Sequence, residues 1–594
     1  MSYRRKKLLA LFCATALSMT AVAGCTGTKS STGNVVSLET ETNAEETSAQ
    51  SEAGTFSSAD MFTERDLAGT YEESGAVYVT LSDDGITGET DGVAINGQTM
   101  TITAEGTYIF SGTLSEGQIV VDADNAKVQI VFDNVDITCA SSAAVYVKSA
   151  EKVFVTLAEG SQNTLRNTDE YVAIDDNNID AVIFAKSDLT LNGTGSLTIV
   201  SAEGHGIVSK DDLKIIGGTY DITAAGHALS GKDSVRIADG TFILTAEKDG
   251  IHAENADDEE KGYIYIADGD FTITSDGDGM DASNIVQIED GTLDITAGGG
   301  SANSLKTHES DVPGGPGGGM PQNGEKLDGE SMPQMGEKPD GENMPQDTTT
   351  DESGTSTKGI KAGGGMYLNG GTYQIDSADD SIHSNANITI ADGTYTLATG
   401  DDGVHADDAL IVNGGTITVT ESYEGLEGLA VTINDGTIDI TASDDGINTA
   451  GEKMELNGGY IHILAGGDGV DSNGDLTING GEIYIDGPSD NGNSAIDYGD
   501  RSSAYVNGGT LVAIGSSGMA EVMSDSSKQK VLMVKLGEQM EAGNVVLTDS
   551  EGNVIVSYTA LKTYDCVIIS TAEVESGATY TLTTSGTTTE VTAE

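Results

Sequence analysis

The sequence predicts an all-β protein, a right-handed parallel β-helix (solenoid) with a small C-terminal β domain or cap. Three observations carry this reading. A phrase recurs about every 22 residues, as in Asp380-Ser-Ile-His383, Asp402-Gly-Val-His405, Glu424-Gly-Leu-Glu427, Asp445-Gly-Ile-Asn448 and Asp468-Gly-Val-Asp471. The segments between these phrases alternate apolar and polar residues, as in Thr416-Ile-Thr-Val-Thr420 and Thr437-Ile-Asp-Ile-Thr441, the pattern of strands with one buried face. Tight turns such as Asp392-Gly393, Gly414-Gly415, Asp435-Gly436, Gly458-Gly459 and Gly480-Gly481 separate the strands. No 3.6-residue apolar period appears, which excludes helical repeats, and a propeller blade needs roughly twice this length. Parallel crossovers are almost always right-handed, which sets the expected hand.

Each region follows in order. Arg4, Arg5, Lys6 and Lys7 precede an apolar stretch at 8–19, and Val22-Ala23-Gly24-Cys25 resembles a lipobox. Residues 1–25 therefore predict an export signal with Cys25 lipidated, so the protein is expected on the extracellular face of the bacterial cell membrane, held only by that lipid. The Ser-, Thr-, Glu- and Gly-rich residues 26–75 predict a flexible tether. Residues 76–203 read as irregular first coils and a cap, and 204–298 and 358–515 as regular coils. Residues 516–594 read as a β cap covering an edge that would otherwise pair with other chains. Six of the seven prolines fall within 299–357, where a Met-Pro-Gln phrase recurs, predicting a disordered insertion thrown out of one coil. Its glycine run at 314–319 is not followed by Gly-Lys-Ser/Thr and opens no helix, so it is not a phosphate loop. Cys139 and Cys566 remain for a mature chain; they are far apart in sequence, and two isolated cysteines make no zinc site.

The net charge of -68 disfavours nucleic acid and favours multivalent cations. Stacked coils turn the repeat into columns about 4.8 Å apart per step. One column reads His205, His227, Asp249, Asp278, Lys358, Asp380, Asp402, Glu424, Asp445, Asp468. A second, three residues later, reads Val208, Ser230, His252, Asp281, Lys361, His383, His405, Glu427, Asn448, Asp471. Aliphatic residues between them, such as Val404 and Ile447, point inward, which puts both columns on or near the outer surface. Stacked carboxylates repel, and two readings answer that repulsion. In one, Ca²⁺ bridges adjacent coils through Asp249, Asp278, Asp281, Asp380, Asp402, Asp445, Asp468 and Asp471, because Ca²⁺ takes six to eight oxygens in flexible geometry. In the other, each aspartate is solvated and chosen only for its turn chemistry. Lys358 and Lys361 interrupt the columns. They neutralise neighbouring acids, bind a sugar carboxylate, or supply a catalytic base. His383 and His405 stack one coil apart and are candidates for ligand contact.

With these motifs in place, the chain resembles the bacterial cell-surface carbohydrate-binding β-helix proteins. The features that carry the resemblance are Ile102-Thr-Ala-Glu-Gly-Thr-Tyr-Ile-Phe-Ser-Gly112, Lys358-Gly-Ile-Lys361, the Asp-Gly-Ile/Val repeats and the Gly/Pro/Met insertion. The resemblance implies calcium binding, a likeness to polysaccharide lyases, and binding of cellulose-type or acidic, pectin-type polysaccharide. Carbohydrate contact is then expected at Lys358, Lys361, His383 and His405, in a monomer. Trp is absent, so Tyr367, Tyr373, Tyr395, Tyr423 and Tyr484 are the rings available to stack on sugars. Three function classes stay open: a non-catalytic binding protein, a Ca²⁺-dependent pectate-type lyase, and an adhesin or spacer. Paired carboxylates as in a glycosidase are not readable from sequence, since acids occur throughout.

Overall fold

The computed structural model describes residues 55–88, 91–258, 260–306, 356–451, 453–499 and 501–593. The expected signal and Cys25 lie outside these, as does 307–355 of the expected insertion. The described chain is nearly all β, and most strands join one sheet of 45 strands. No helix among the described residues is long and apolar enough to cross a membrane.

Through the repeats, each strand pairs in parallel with the equivalent strand of the next repeat. Thr219–Ala224 pairs with Thr241–Ala246, and that strand pairs with Asp270–Ser275, in unbroken register. Period-two patterning sets which residues face inward. Thr437–Ala442 buries Ile438, Ile440 and Ala442 and exposes the alternate residues Thr437, Asp439 and Thr441. Inward residues stack into ladders of like side chains. Tyr220, Phe242 and Phe271 form one such stack, with ring centroids 5.2 and 4.7 Å apart. Tyr373 and Tyr395 continue this ladder beyond Leu293. Both tyrosines are fully buried and donate their hydroxyls to the Gly370 and Asp392 carbonyls, so they are core residues and not sugar platforms.

The insertion does not interrupt the stack. Met280–Ala282, before it, pairs with Ile360–Ala362, after it, placing Asp281 opposite Lys361. The ordered chain also runs past 299. Residues Ser301–Asn303 form a 3₁₀ turn, and Lys306 is buried in ion pairs. Part of the expected tether is likewise packed. Phe56 stacks on Tyr263, and Gln287 holds its backbone. Thr63 and Asp66 form a reciprocal capping box, and the fully buried Asp66 carboxylate lies 2.5 Å from Lys152 Nζ. Buried aromatic contacts and a paired buried carboxylate outweigh the flexibility implied by composition. At the other end, Tyr564–Ser570 pairs antiparallel on the last parallel strand, Thr510–Gly515. Beyond it, a four-stranded antiparallel sheet spans 543–592. Cys139 and Cys566 are both buried and unpaired.

At Gly446 the glycine of the repeated phrase is required by packing, although the copy at Ser381 accommodates a buried side chain. A Cβ at Gly446 would collide with Ile463 Cγ2 and the Gly469 carbonyl, and backbone does not yield as a side chain would. Gly446→Ala is expected to destabilise the protein by about 1–3 kcal/mol, the usual range for overpacking. Chemical denaturation would read it, and a loss below the error of the fit would show that the coil spacing relaxes.

Candidate functional site

The second column stands in strict register. Successive Cα partners run Ser230, His252, Asp281, Lys361, His383, His405, Glu427, Asn448, Asp471 and Asp497. These side chains are half-buried. The first column lies deeper than its pattern implied. Asp278 and Asp380 are 1% exposed, and Asp402 and Asp468 are buried. The cause is a hydrogen-bond ladder between coils. Asp249 Oδ1 accepts from the Asp278 N–H at 3.0 Å, Asp278 Oδ1 from Lys358 at 2.7 Å, and Asp380 Oδ1 from Asp402 at 3.1 Å. Asp402 and Asp445 likewise accept from Glu424 and Asp468. Each of these aspartates therefore satisfies a backbone donor that would otherwise be buried unpaired. One oxygen does this work, and the other points toward the second column.

What that second oxygen meets divides the column in two. In the middle coils it meets cations. Lys358 Nζ lies 2.8 Å from Asp379 and 2.6 Å from Asp380, and Lys306 pairs with Asp379 and Asp401. His383 Nδ1 is 2.8 Å from Asp380 Oδ2. His405 Nδ1 is 3.0 Å from Asp402 and 3.1 Å from Glu427. Lys361 lies 3.3 Å from Asp281 and 3.5 Å from Asp278. Burial alone would raise the Asp380 carboxyl, but Lys358 and His383 hold it well below the usual carboxylate range. Lys358 is itself held above the ordinary lysine value by Asp380 and Asp379, against the opposing effect of burial. A lysine so committed carries no lone pair at neutral pH and supplies no general base.

In the later coils the oxygens meet no cation among the described residues. Among the described residues, no Lys, Arg or His pairs with Asp444, Asp445, Asp468, Asp471 or Asp497. Carboxylate oxygens of Asp445, Asp468 and Asp471 lie within 4.8 Å of one another. Burial first, then repulsion from neighbouring carboxylates including Asp444 and Asp497, pushes these carboxyls up to about 8, 7 and 6. A side chain at Gly467 would collide with oxygens of Asp444 and Asp445, so glycine keeps space open against the cluster. An all-oxygen, uncompensated and partly open cluster has the donor chemistry of a Ca²⁺ site. Asp445, Asp468 and Asp471 are thus the expected metal residues that come together without a cation. Asp278, Asp380 and Asp402 are taken up by lysine and histidine, and Asp249 and Asp281 face His252.

Beside both halves runs an open groove of about 400 Å³. Ser301, Ser304 and Lys306 line one end, Tyr423 the middle, and Asp444 and Gly467 the other. The sequence pointed to Tyr423 but not to Lys306, which sits outside the repeat phase and within the expected 299–357 insertion. Tyr423 remains half-buried, unlike Tyr373 and Tyr395. Lys361 keeps the most exposure of the four expected contact residues, with 26% of its side chain open against 17% for His405 and 12% for His383 and Lys358.

These features define a repetitive all-β protein with a polar groove flanked by stacked ionic columns. A family model described as "Carbohydrate-binding domain-containing protein" matches residues 96–403 and 401–553, and the chain belongs to that family. A carbohydrate-binding domain-containing protein of Acetivibrio thermocellus is 40% identical over 135 residues, 22% of this chain and 47% of that protein. The chain thus spans about half the length of that relative. A solved structure, titled as the polysaccharide lyase-like protein from C. thermocellum in a gadolinium derivative, is 36% identical. It covers 38% of this chain and 92% of its own, with a TM-score of 0.37.

Proposed function

We propose that the protein is a non-catalytic carbohydrate-binding protein that holds an extended polysaccharide in the groove of Lys306, Tyr423 and Asp444, assisted by Ca²⁺ at Asp445, Asp468 and Asp471. The observation that carries this reading is the adjacency of groove and cluster through Asp444 and Gly467. The groove offers hydroxyls for sugar hydrogen bonds and a phenol for stacking. A chain of charge -68 repels an acidic polymer, and a divalent ion between protein and polymer carboxylates reverses that sign. In the same reading, the 45-stranded sheet coils as a right-handed parallel β-helix, and Cys25 anchors the chain to the outer face of the membrane. The committed state of Lys358 favours binding over lyase chemistry.

Retention on insoluble cellulose and on pectate gel tests this. With Ca²⁺ the protein is expected to be retained on at least one matrix, and Tyr423→Ala to weaken retention about tenfold, as for an aromatic anchor. Retention on neither matrix would favour an adhesin or spacer. Release of unsaturated product from pectate would establish a lyase.

A further inference from the structure

The outward face of the coils changes character near the C-terminal cap. Thr372, Thr394, Thr416 and Thr437 occupy one outward position of successive strands in register. Tyr460 takes that position on the next strand. Threonine fills it in the preceding coils, so packing of the strand does not demand a ring, and Tyr460 stays 41% exposed. Its ring opens a row. The Tyr484 centroid, one coil further on, lies 5.7 Å away, and Tyr558 of the antiparallel sheet stacks on Tyr484 at 5.2 Å and 12°. Tyr558 is held in place by its hydroxyl, which donates to Asp486, a buried carboxylate that also accepts the Leu561 N–H at 2.8 Å. Asp439 and Glu482 stand exposed on the strands to either side of Tyr460. Among the described residues only His462 pairs with either of them, its Nδ1 lying 2.9 Å from Asp439 Oδ1.

We propose that Tyr460, Tyr484 and Tyr558 form a second sugar-binding shelf, which takes a neutral polysaccharide of the β-linked glucan type without Ca²⁺. The proposal rests on the carbohydrate-binding reading and adds a subsite to it. Equatorial hydroxyls leave both faces of such a sugar ring lined with C–H groups, and an aromatic face packs against them. The carboxylates of Asp439 and Glu482 accept hydrogen bonds from hydroxyls at the ring edge. The same two charges repel a uronate, which selects the neutral polymer. The row is preorganised, because strand register sets Tyr460 and Tyr484 and Asp486 sets Tyr558. Little side-chain freedom is then lost on binding. The shelf shares no residue with the groove of Tyr423 or with the cluster of Asp445, Asp468 and Asp471.

Depletion of the full chain onto amorphous cellulose in EGTA tests the shelf. The wild type is expected to be retained without Ca²⁺. Tyr460→Thr, which installs the residue of the preceding coils, is expected to weaken retention at least about tenfold. Tyr460→Phe is expected to preserve it, since the ring is kept. On pectate gel with Ca²⁺, Tyr460→Thr is expected to match the wild type, because that matrix meets the groove. Melting curves of both variants separate a lost contact from lost folding. No wild-type retention on cellulose in EGTA would overturn the shelf, as would retention that Tyr460→Thr leaves unchanged. Wild-type retention on pectate with Ca²⁺ in either case would keep the groove reading, so the two fail separately.

Discussion

Lys358→Met is expected to destabilise the protein by about 3–5 kcal/mol, the cost of removing one partner from a buried ion pair. The methionine fills similar volume, so the loss falls on charge. Asp380 is 1% exposed and its Oδ2 lies 2.6 Å from Lys358 Nζ. Without the lysine, that carboxylate keeps only His383 beside it on this oxygen. Two controls isolate the cause. Adding Asp380→Asn is expected to recover much of the loss, because the amide oxygen still accepts the Asp402 N–H and no uncompensated charge remains. The penalty is also expected to shrink at low pH. With Lys358 present, the depressed Asp380 pKa contributes stability above the ordinary carboxylate range that is lost on acidification. With methionine there, protonation relieves the penalty instead. A loss below about 1 kcal/mol at neutral pH would show that water reaches the carboxylate and that the pair is not desolvated.

The second large effect concerns Ca²⁺ and pH together. Asp471, Asp468 and Asp445 are raised to about 6, 7 and 8 in the folded chain, above their values in an unfolded one. The fold therefore prefers them protonated. Their contribution is fully present at low pH and is lost as pH rises through 6, 7 and 8. In EGTA, the melting temperature is expected to fall across that window. Ca²⁺ replaces the protons as the neutralising species, so its stabilisation is expected to grow over the same range. At a hundred times its dissociation constant a single ion adds about 2.7 kcal/mol. Asp468→Asn is expected to flatten both dependences. Melting curves that coincide with and without Ca²⁺ at pH 8 would overturn the assignment.

The strand pattern was legible because burial in a sheet depends on a period of two, and that period is local. Register was legible for the same reason: repeats of near-constant length bring like residues opposite one another, so His383 faces His405 and Asn448 faces Asp471. Which carboxylates remain open to a metal was not legible. Asp380 and Asp445 carry the same phrase, yet one meets Lys358 and the other no cation among the described residues. Lys306 carries no repeat signal, and its pairing with Asp379 and Asp401 spans the insertion. The strap at 55–67 was hidden for a related reason. Its composition resembles a linker, and partners on distant coils give it something to bind: Tyr263 and Gln287 for Phe56, Arg236 for Met61, and Lys152 and Thr190 for Asp66.

By itself the sequence determined the repeat, the inward-facing aliphatic residues and the two columns, whereas the burial of Tyr373 and Tyr395 in the inward ladder emerged only with the structure. Tertiary structure decided the depth of each column. An aspartate oxygen that accepts a backbone N–H from the next coil is drawn inside, and pattern alone cannot show that acceptance. It also decided the division of one acidic column into a lysine-neutralised stretch, a histidine-lined stretch and an uncompensated one. That division depends on cations brought in from outside the repeat, and a charge's partner is set by position in space.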